Sequence, residues 1–366
     1  MKISIERENL LLALQAVANI VEKRQTGSIL SNVLFAAEGE NVSITATDQE
    51  VEAVARSVAK ISQEGVLTVS GRKLLDICRS LPAQSLVQIE EKDKKIRIQS
   101  GRSRFVLSTL PATDYPSIGY ATDEIAFTID SAVLQGLIAS TQFAMAHEDV
   151  RYYLNGLLLE LNETSIKAVA TDGHRLALNE HSMPLDLKET RQLIVPRKGV
   201  NEIQRLASHT TAPIDVGISA NVLRVSVLNQ TLTVKLVDGK YPDYERVLPK
   251  GGDKIIEADR ETTKSALQRT SILSNEKFRG VRLNFGKGVL KASAHNPEQE
   301  EAEEEIEVSY DGEPLEIGFN VSYLLDVLSV LQGDTIRFVL SDSNSSCLIQ
   351  AGKESGAKYV VMPMRL

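Results

Sequence analysis

The strongest constraint on this chain is a threefold internal repeat, which has to be recognised before any single motif is weighed. Ser31-Asn32-Val33-Leu34-Phe35 leads to Ile44-Thr45-Ala46-Thr47-Asp48. Leu154-Asn155-Gly156-Leu157-Leu158 leads likewise to Ala168-Val169-Ala170-Thr171-Asp172, and Arg279-Gly280-Val281-Arg282-Leu283 to Ala292-Ser293-Ala294-His295-Asn296. The interval from Asn32 to Gly156 equals that from Gly156 to Gly280, and Asp48, Asp172 and Asn296 keep the same spacing. Each copy reads as two short alternating strands, the second ending in a polar turn cluster.

The repeat extends to both sides of these strand pairs. Helix-like stretches precede them at Asn9–Val21, Ser131–Ala144 and Arg260–Leu273, and follow at Gly71–Leu81, Pro196–Ala207 and Asn320–Leu331. In the second set Leu74, Ile77, Cys78 and Leu81 share one helical face, as do Val200, Ile203 and Ala207, and Leu324, Val327, Leu328 and Leu331. Alternating strands close each unit: Val87–Gln99 and Arg104–Leu110; Ile214–Ile218, Leu223–Leu228 and Thr231–Val237; Thr335–Leu340 and Lys358–Met362. Pro111, Pro242 and Pro363 stand at or near the ends of these runs. The expected fold is therefore α+β: three similar domains, 1–124, 125–252 and 253–366, each with antiparallel sheet and helices on one face. The period is far longer than that of a solenoid, so the repeats are whole domains. Similar domains joined head to tail make heterologous contacts, which give a ring if the rotation closes and a filament if it does not. Closure also hides sheet edges that would otherwise pair indiscriminately.

Composition narrows the class. With 366 residues, 42% hydrophobic and 25% charged, the chain has the balance of an ordinary soluble protein, and no apolar run approaches the ~18 residues of a membrane span. Met1-Lys2-Ile3-Ser4-Ile5-Glu6 alternates like a strand rather than a signal region, and Cys78 and Cys347 fit no metal-ligand spacing. These features lead to the expectation of a cytoplasmic protein with reduced, structural cysteines.

Candidate chemistry is sparse. Asp172-Gly173-His174-Arg175 offers an acid and an imidazole that could serve a general base or a metal, which keeps a hydrolase in view. No third ligand stands at useful spacing, however. Asp-Gly after an alternating strand is a hairpin signal, and Asp48 and Asn296 occupy the equivalent turns without a His. No phosphate-binding glycine loop of either common type occurs. Glu298 to Glu307 holds seven Glu, which reads either as a solvated, mutually repelling run or as one side of an ionic contact. The net charge of -8 is unlike that of a conventional DNA binder. Basic residues nonetheless recur on the polar faces of repeated helices: Lys23 and Arg24, Arg72 and Arg79, Lys198 and Arg205, Lys264 and Arg269. Tyr152-Tyr153 beside Arg151 suits either core packing or stacking on bases. The apolar ending Val360-Val361-Met362-Pro363-Met364-Arg365-Leu366 suits a docked final strand or an adaptable peptide groove. A repeat-built scaffold with no DNA role is the remaining alternative.

Several stretches carry a resemblance to a known family. Ser108-Thr109-Leu110-Pro111-Ala112, Asp149-Val150-Arg151-Tyr152-Tyr153-Leu154-Asn155-Gly156 and Ala170-Thr171-Asp172-Gly173-His174-Arg175-Leu176 are similar to the bacterial DNA polymerase III beta subunit. So are Ile194 to Val200, Lys235 to Tyr244, Ile272 to Val281 and the ending Tyr359 to Leu366, and together they span all three units.

The resemblance implies a sliding clamp. This is a head-to-tail homodimeric ring of six domains, helices inside and sheets outside, encircling double-stranded DNA without sequence preference and without catalysis, cofactor or metal. It implies partnership with the polymerase III catalytic subunit, the clamp loader, and other polymerases and repair proteins that dock short apolar peptides. Carried over residue by residue, DNA contacts fall on Arg24, Arg72, Tyr152, Tyr153, Arg197 and Lys198. The peptide cleft, between the second and third domains, falls on Leu154, Thr171, Gly173, His174, Arg175 and Leu176. Pro242, Arg246, Val247, Phe278, Asn320, Tyr323 and Ser346 continue it. Val360, Met362, Pro363, Met364, Arg365 and Leu366 complete it, and Asn344 stands where an apolar residue is common. The subunit boundary falls on Arg102, Arg104, Phe105, Leu107, Ile272 and Leu273.

Overall fold

A computed structural model describes residues 1–21, 29–119, 122–352 and 356–365. Two expected site residues, Arg24 and Leu366, lie outside the described residues, as does Lys23.

The three repeats build the same series of elements, save for one extra strand, Lys60–Gln63, in the first. The first runs Lys2–Glu6, helix α1 (Arg7–Val17), strands Asn32–Glu38, Asn41–Thr47, Val51–Val58, Lys60–Gln63 and Gly65–Ser70, helix α2 (Gly71–Ser80), then Leu86–Lys92, Lys95–Ser100 and Ser103–Leu110. The second runs Ile125–Ile129, α3 (Ser131–Ala139), Gly156–Leu161, Ser165–Thr171, Arg175–Ser182 and Arg191–Pro196. It goes on through α4 (Arg197–Ser208), Ile214–Ile218, Val222–Val227 and Gln230–Lys235. The third runs Lys254–Asp259, α5 (Arg260–Thr270), Gly280–Gly286, Val289–His295, Glu301–Ser309 and Leu315–Asn320. It closes through α6 (Val321–Val330), Thr335–Leu340, Cys347–Gln350 and Ala357–Val361.

The helices are shorter than the apolar pattern predicts, for local reasons. α3 stops at Ala139 because the Ser140 and Thr141 hydroxyls bond back to the carbonyls of Gly136 and Leu137, at 2.7 and 2.6 Å, and a short 3-10 turn follows at Gln142–Ala144. α5 likewise gives way at Thr270 to a 3-10 turn, Ser271–Leu273. α2 begins where the Ser70 hydroxyl accepts the Lys73 N–H, and α5 where the Asp259 carboxylate accepts that of Thr262. The helical faces read from spacing are the buried ones: Leu74 and Cys78 with Leu81, Val200, Ile203 and Ala207, and Leu324, Val327, Leu328 and Leu331; Ile77 is only half-buried. Both cysteines are buried and free, and burial pushes the Cys78 thiol up to about 11.

The described strands form two antiparallel sheets, one of thirteen strands and one of twelve. They belong to two compact units, Met1–Ala132 with Asn201–Leu236, and Val133–Val200 with Val237–Leu366. In the first, Gln230–Lys235 from the second repeat pairs with Val51–Val58 of the first, from Gln230 opposite Ala55 to Val234 opposite Val51. In the second, Ala357–Val361 from the third repeat pairs with Arg175–Ser182 of the second, from Ala357 opposite Asn179 to Val361 opposite Arg175. Sheet continuity therefore runs across the expected boundaries at 124/125 and 252/253. Ladder hydrogen bonds satisfy strand edges whichever repeat supplies the neighbour.

Candidate nucleic-acid and partner interfaces

Most of the expected peptide cleft lies in the second unit and is organised by one turn. Asp172 accepts the backbone N–H groups of His174 and Arg175 at 2.9 and 3.0 Å, and Gly173 adopts φ +89°, which a residue without Cβ takes readily. Thr171 Oγ1 accepts the Gly173 N–H and donates to the Arg175 carbonyl at 2.6 Å. The turn aims Arg175 inward. Its guanidinium donates to Asp172 (3.1 Å), to the Phe143 carbonyl (2.9 Å) and to Asp326 on α6, and lies 4.5 Å from the Tyr323 ring centroid. Arg175 thereby joins the second-repeat turn to the third-repeat helix. The His174 ring stacks on Tyr323 at 6.4 Å.

Beneath this turn Leu154, Leu176 and Val360 are fully buried in one apolar cluster with Leu158, Val169, Tyr241 and Tyr244, and Tyr153 and Val247 pack against it. These cleft residues form floor rather than surface. The C-terminal segment is held by its backbone, Met362 N–H to the His174 carbonyl and Met364 N–H to the Gly318 carbonyl, at 2.9 and 2.8 Å. Its side chains stay partly accessible: Met362 is exposed, and Pro363 and Met364 are half-buried. Phe278 is 54% exposed. Pro242 is exposed, Arg246 is exposed and paired with Asp243, and Ser346 is half-buried. Asn320 caps α6 by accepting the Ser322 N–H. Asn344 is exposed, so no apolar side chain fills that position.

The basic candidates divide. Arg72 on α2 extends into solvent, 4.0 Å from Asp76. Arg197 is held, donating to the carbonyls of Met145 and Ala146 at 2.9 and 2.7 Å, and burial lowers its pKa. Lys198 is half-buried and engaged. Arg205, read from spacing as part of a free basic face, is tied to Glu202 and to the Ala16 carbonyl at 2.8 and 2.6 Å. Solvated charge on α4 is correspondingly less than the pattern predicts. Tyr152 and Tyr153 meet edge to face with centroids 5.8 Å apart; Tyr152 is exposed, whereas Tyr153 packs on the apolar floor. The core-packing reading fits Tyr153, and Tyr152 is left with an accessible face.

Sequence reasoning gave no role to the loop that presents this pair. Asp149 grips Arg151 through two bonds of 3.0 and 2.8 Å, and those bonds hold its carboxyl down at about 2. Asn155 accepts the Asp149 N–H, and Val150 stands almost fully exposed at the tip. Phe143 and Asp326 were also unanticipated, because nothing local marks a residue whose partner is remote in sequence.

The boundary residues lie on open features. Ser103–Leu110 is paired along its length with Lys95–Ser100, but on its other side meets Gly65–Ser70 only through Thr109 and Leu110. Arg102 and Arg104 are exposed, Phe105 and Leu107 half-buried, and Ile272 is 75% exposed beside half-buried Leu273. Glu301–Ser309 is paired along its length with Val289–His295, but its outer side meets Lys254–Asp259 only through Val308 and Ser309. The acidic tract is thus a turn and an edge strand, in which Glu304 meets Arg269 and Lys291 meets Glu303 and Glu305.

Among the described residues no group of three or more His, Cys, Asp or Glu is arranged to hold a metal ion, and no helix is long and apolar enough to cross a membrane. Family profiles of the DNA polymerase III beta subunit match the chain three times. The N-terminal domain matches residues 1–119, the central domain 128–243 and the C-terminal domain 245–365. A beta sliding clamp of Pseudomonas putida is 51% identical over 367 residues and one of Escherichia coli K12 is 48% identical over 368, each covering 100% of both chains. A ligand-bound crystal structure of the DNA polymerase sliding clamp from Pseudomonas aeruginosa superposes with TM-score 0.97 at 51% identity, covering 100% of both chains. The same organism's clamp bound to griselimycin gives 0.96 at 51%, with the same coverage.

Proposed function

Because the chain belongs to the bacterial DNA polymerase III beta-subunit family, a non-catalytic sliding clamp that makes the polymerase processive, we propose that two copies close head to tail around duplex DNA. One observation carries this reading. Val51–Val58 and Arg175–Ser182 are equivalent strands of the first two repeats, and each pairs with the last strand of the following repeat. Their third-repeat equivalent is Glu301–Ser309, whose matching side is open from Glu301 to Glu307. The open last strand is Ser103–Leu110 of the first repeat. The two unmet edges belong to opposite ends of the series, so a second copy satisfies both, twice over, and the assembly closes. Transferring the register of the existing pairs sets Arg104 opposite Glu303 and Phe105 opposite Ala302. It gives the acidic tract cations to meet, and we assign Ile272 and Leu273 to the same boundary as Phe105 and Leu107.

Within such a ring DNA is held by closure, so an acidic chain needs only weak phosphate contacts, from Arg24, Arg72 and the Tyr152–Tyr153 loop, with Arg197 and Lys198 shaping the surface behind it. Partners, among them the polymerase catalytic subunit, the clamp loader and other polymerases and repair proteins, dock short apolar peptides over the Leu154–Leu176–Val360 floor, between His174 and the Met362–Leu366 segment. Tethering there raises the partner's effective concentration at the primer end. A cytoplasmic location belongs to the same proposal. The test is topological. Loaded protein should persist on nicked circular DNA at moderate salt and leave promptly once the circle is cut. Equal loss from circular and linear DNA would defeat the reading.

A further inference from the structure

The repeat exposes an empty slot in the third domain by showing what fills it in the other two. Three adjacent strands carry an equivalent row in each repeat: Thr45–Leu34–Thr68, Val169–Leu158–Ile194 and Ser293–Arg282–Gly318. In the first repeat the segment after the last strand brings Tyr115 over this row, buried, its hydroxyl 3.1 Å from the carbonyls of both Asn32 and Thr45, which share its one proton. In the second, the Val237 N–H bonds to the Ile194 carbonyl, and four residues later Tyr241 lies buried with Leu158 and Val169. Its hydroxyl accepts the Thr171 N–H at 3.1 Å. Each tyrosine directly precedes a proline, Pro116 and Pro242.

In the third repeat the Met364 N–H makes the corresponding bond to the Gly318 carbonyl, yet among the described residues no tyrosine crosses the row. A pocket of about 610 Å³ lies there instead, lined by Gly280, Arg282, Ser293 and His295, the equivalents of Asn32, Leu34, Thr45 and Thr47. Phe278 stands at its rim, 54% exposed, whereas its second-repeat equivalent Leu154 is 2% exposed in the cluster that contains Tyr241. The volume falls in the range of pockets that enclose a ligand or a peptide side chain with its neighbours.

We propose that this slot is a docking site for a tyrosine carried, just ahead of a proline, on an extended segment of a partner protein. The ring enters over Ser293 and against the edge of Phe278, and its hydroxyl bonds to the carbonyls of Gly280 and Ser293 as that of Tyr115 does to Asn32 and Thr45. A proline after the tyrosine holds the segment extended, as in both internal copies. The inference rests on the internal repeat; the slot shares Phe278, Met364 and Arg365 with the proposed peptide cleft and Glu301 to Glu303 with the proposed subunit boundary, so the readout is His295 set against His174 and Tyr323.

The probe is the chain's own first-repeat sequence supplied in trans, an acetylated and amidated peptide of Ala112–Ser117, titrated into the full-length protein while the His295 ring is followed by NMR against those of His174 and Tyr323. A saturable shift at His295 is expected. A Phe peptide should bind roughly fivefold more weakly for loss of the hydroxyl, and an Ala peptide should not bind measurably. Ser293→Trp, which fills the slot from an accessible strand position, should abolish the shift while leaving the thermal melt cooperative. Three results overturn the proposal: no saturable shift at His295, equal binding of the Ala peptide, or shifts confined to His174 and Tyr323. The peptide series needs no variant, so a poorly folding Ser293→Trp protein does not rescue the idea.

Discussion

The proposed subunit boundary can be tested by removing two side chains that the single chain leaves uncovered. Ile272 is 75% exposed and Leu273 half-buried, on a 3-10 turn that the Thr270, Ser271 and Ser274 hydroxyls hold in place. Replacing both with Ala removes three carbons from each without disturbing the turn's hydrogen bonds. At about 0.8 kcal/mol per buried methylene, weighted by the surface each still has to bury, the loss is about 3 kcal/mol per boundary. A closed dimer has two such boundaries, so dissociation should become easier by about 6 kcal/mol, roughly four orders of magnitude in Kd. Sedimentation velocity across a concentration series should then show monomers where the parent is dimeric, with unchanged far-UV dichroism and melting of the monomer. A dimer constant within about threefold of the parent would remove Ile272 and Leu273 from the boundary, and with them the argument from unmet edges.

Three further outcomes are expected. Deleting Met362–Leu366 should abolish calorimetric binding of apolar polymerase-derived peptides, a loss of at least about 100-fold if two buried apolar anchors are forfeited, while the protein stays dimeric. Arg24→Ala with Arg72→Ala should slow loading onto primed circles but leave residence on a loaded circle unchanged within about twofold, because counterion-releasing contacts guide entry and closure prevents exit. Glu52 provides a pH test. Burial raises its carboxyl pKa, only partly offset by the Ile118 N–H it accepts at 3.1 Å. A carboxyl whose folded pKa is raised supports the fold most when protonated and loses that support as pH rises through the folded value. Glu52→Gln should therefore melt higher than the parent at pH 8, with the gain vanishing by pH 4; a gain independent of pH would assign the effect to packing instead.

How much of this was legible beforehand depended on sequence distance. The repeat and the buried faces of α2, α4 and α6 follow from local periodicity, and the Asp172-Gly173 turn from local chemistry, so these emerged from the residues themselves. Helix ends were overrun where Ser140, Thr141 and Ser271 turn their hydroxyls onto backbone carbonyls, a competition that apolar spacing does not encode. Arg205 looked like a free cation because a helix pattern assigns it a polar face, and Arg197 was expected as a DNA contact by resemblance alone. Only the fold reveals that the Met145, Ala146 and Ala16 carbonyls lie within reach. Arg175 is the sharpest case. Its assignment to the proposed cleft comes from resemblance, and its bond to Asp326 joins residues of different repeats and had no local signature.

Long-range pairing also explains an oddity of composition. An open strand edge is a hazard, since any other open edge can pair with it. Glu301–Ser309 carries Glu at 301, 303, 305 and 307, all exposed on one face of an edge whose outer side is unpaired as far as Glu307. Two such edges approaching each other would set carboxylates against carboxylates, which cross-strand pairing penalises. The open edge of Ser103–Leu110 carries Arg104 on its exposed face, with Arg102 just before it, and in the proposed dimer it faces the acidic row with opposite charge. In the proposed dimer these four Glu choose between partners for an edge: they disfavour two third repeats meeting and favour a third repeat meeting a first. That choice separates a closed pair from an open aggregate, and it makes a charge-swapped combination informative. Arg104→Glu alone should weaken the dimer, and adding Glu303→Arg should restore it. Failure of the second change to rescue the first would mean that the two edges do not face each other in this register.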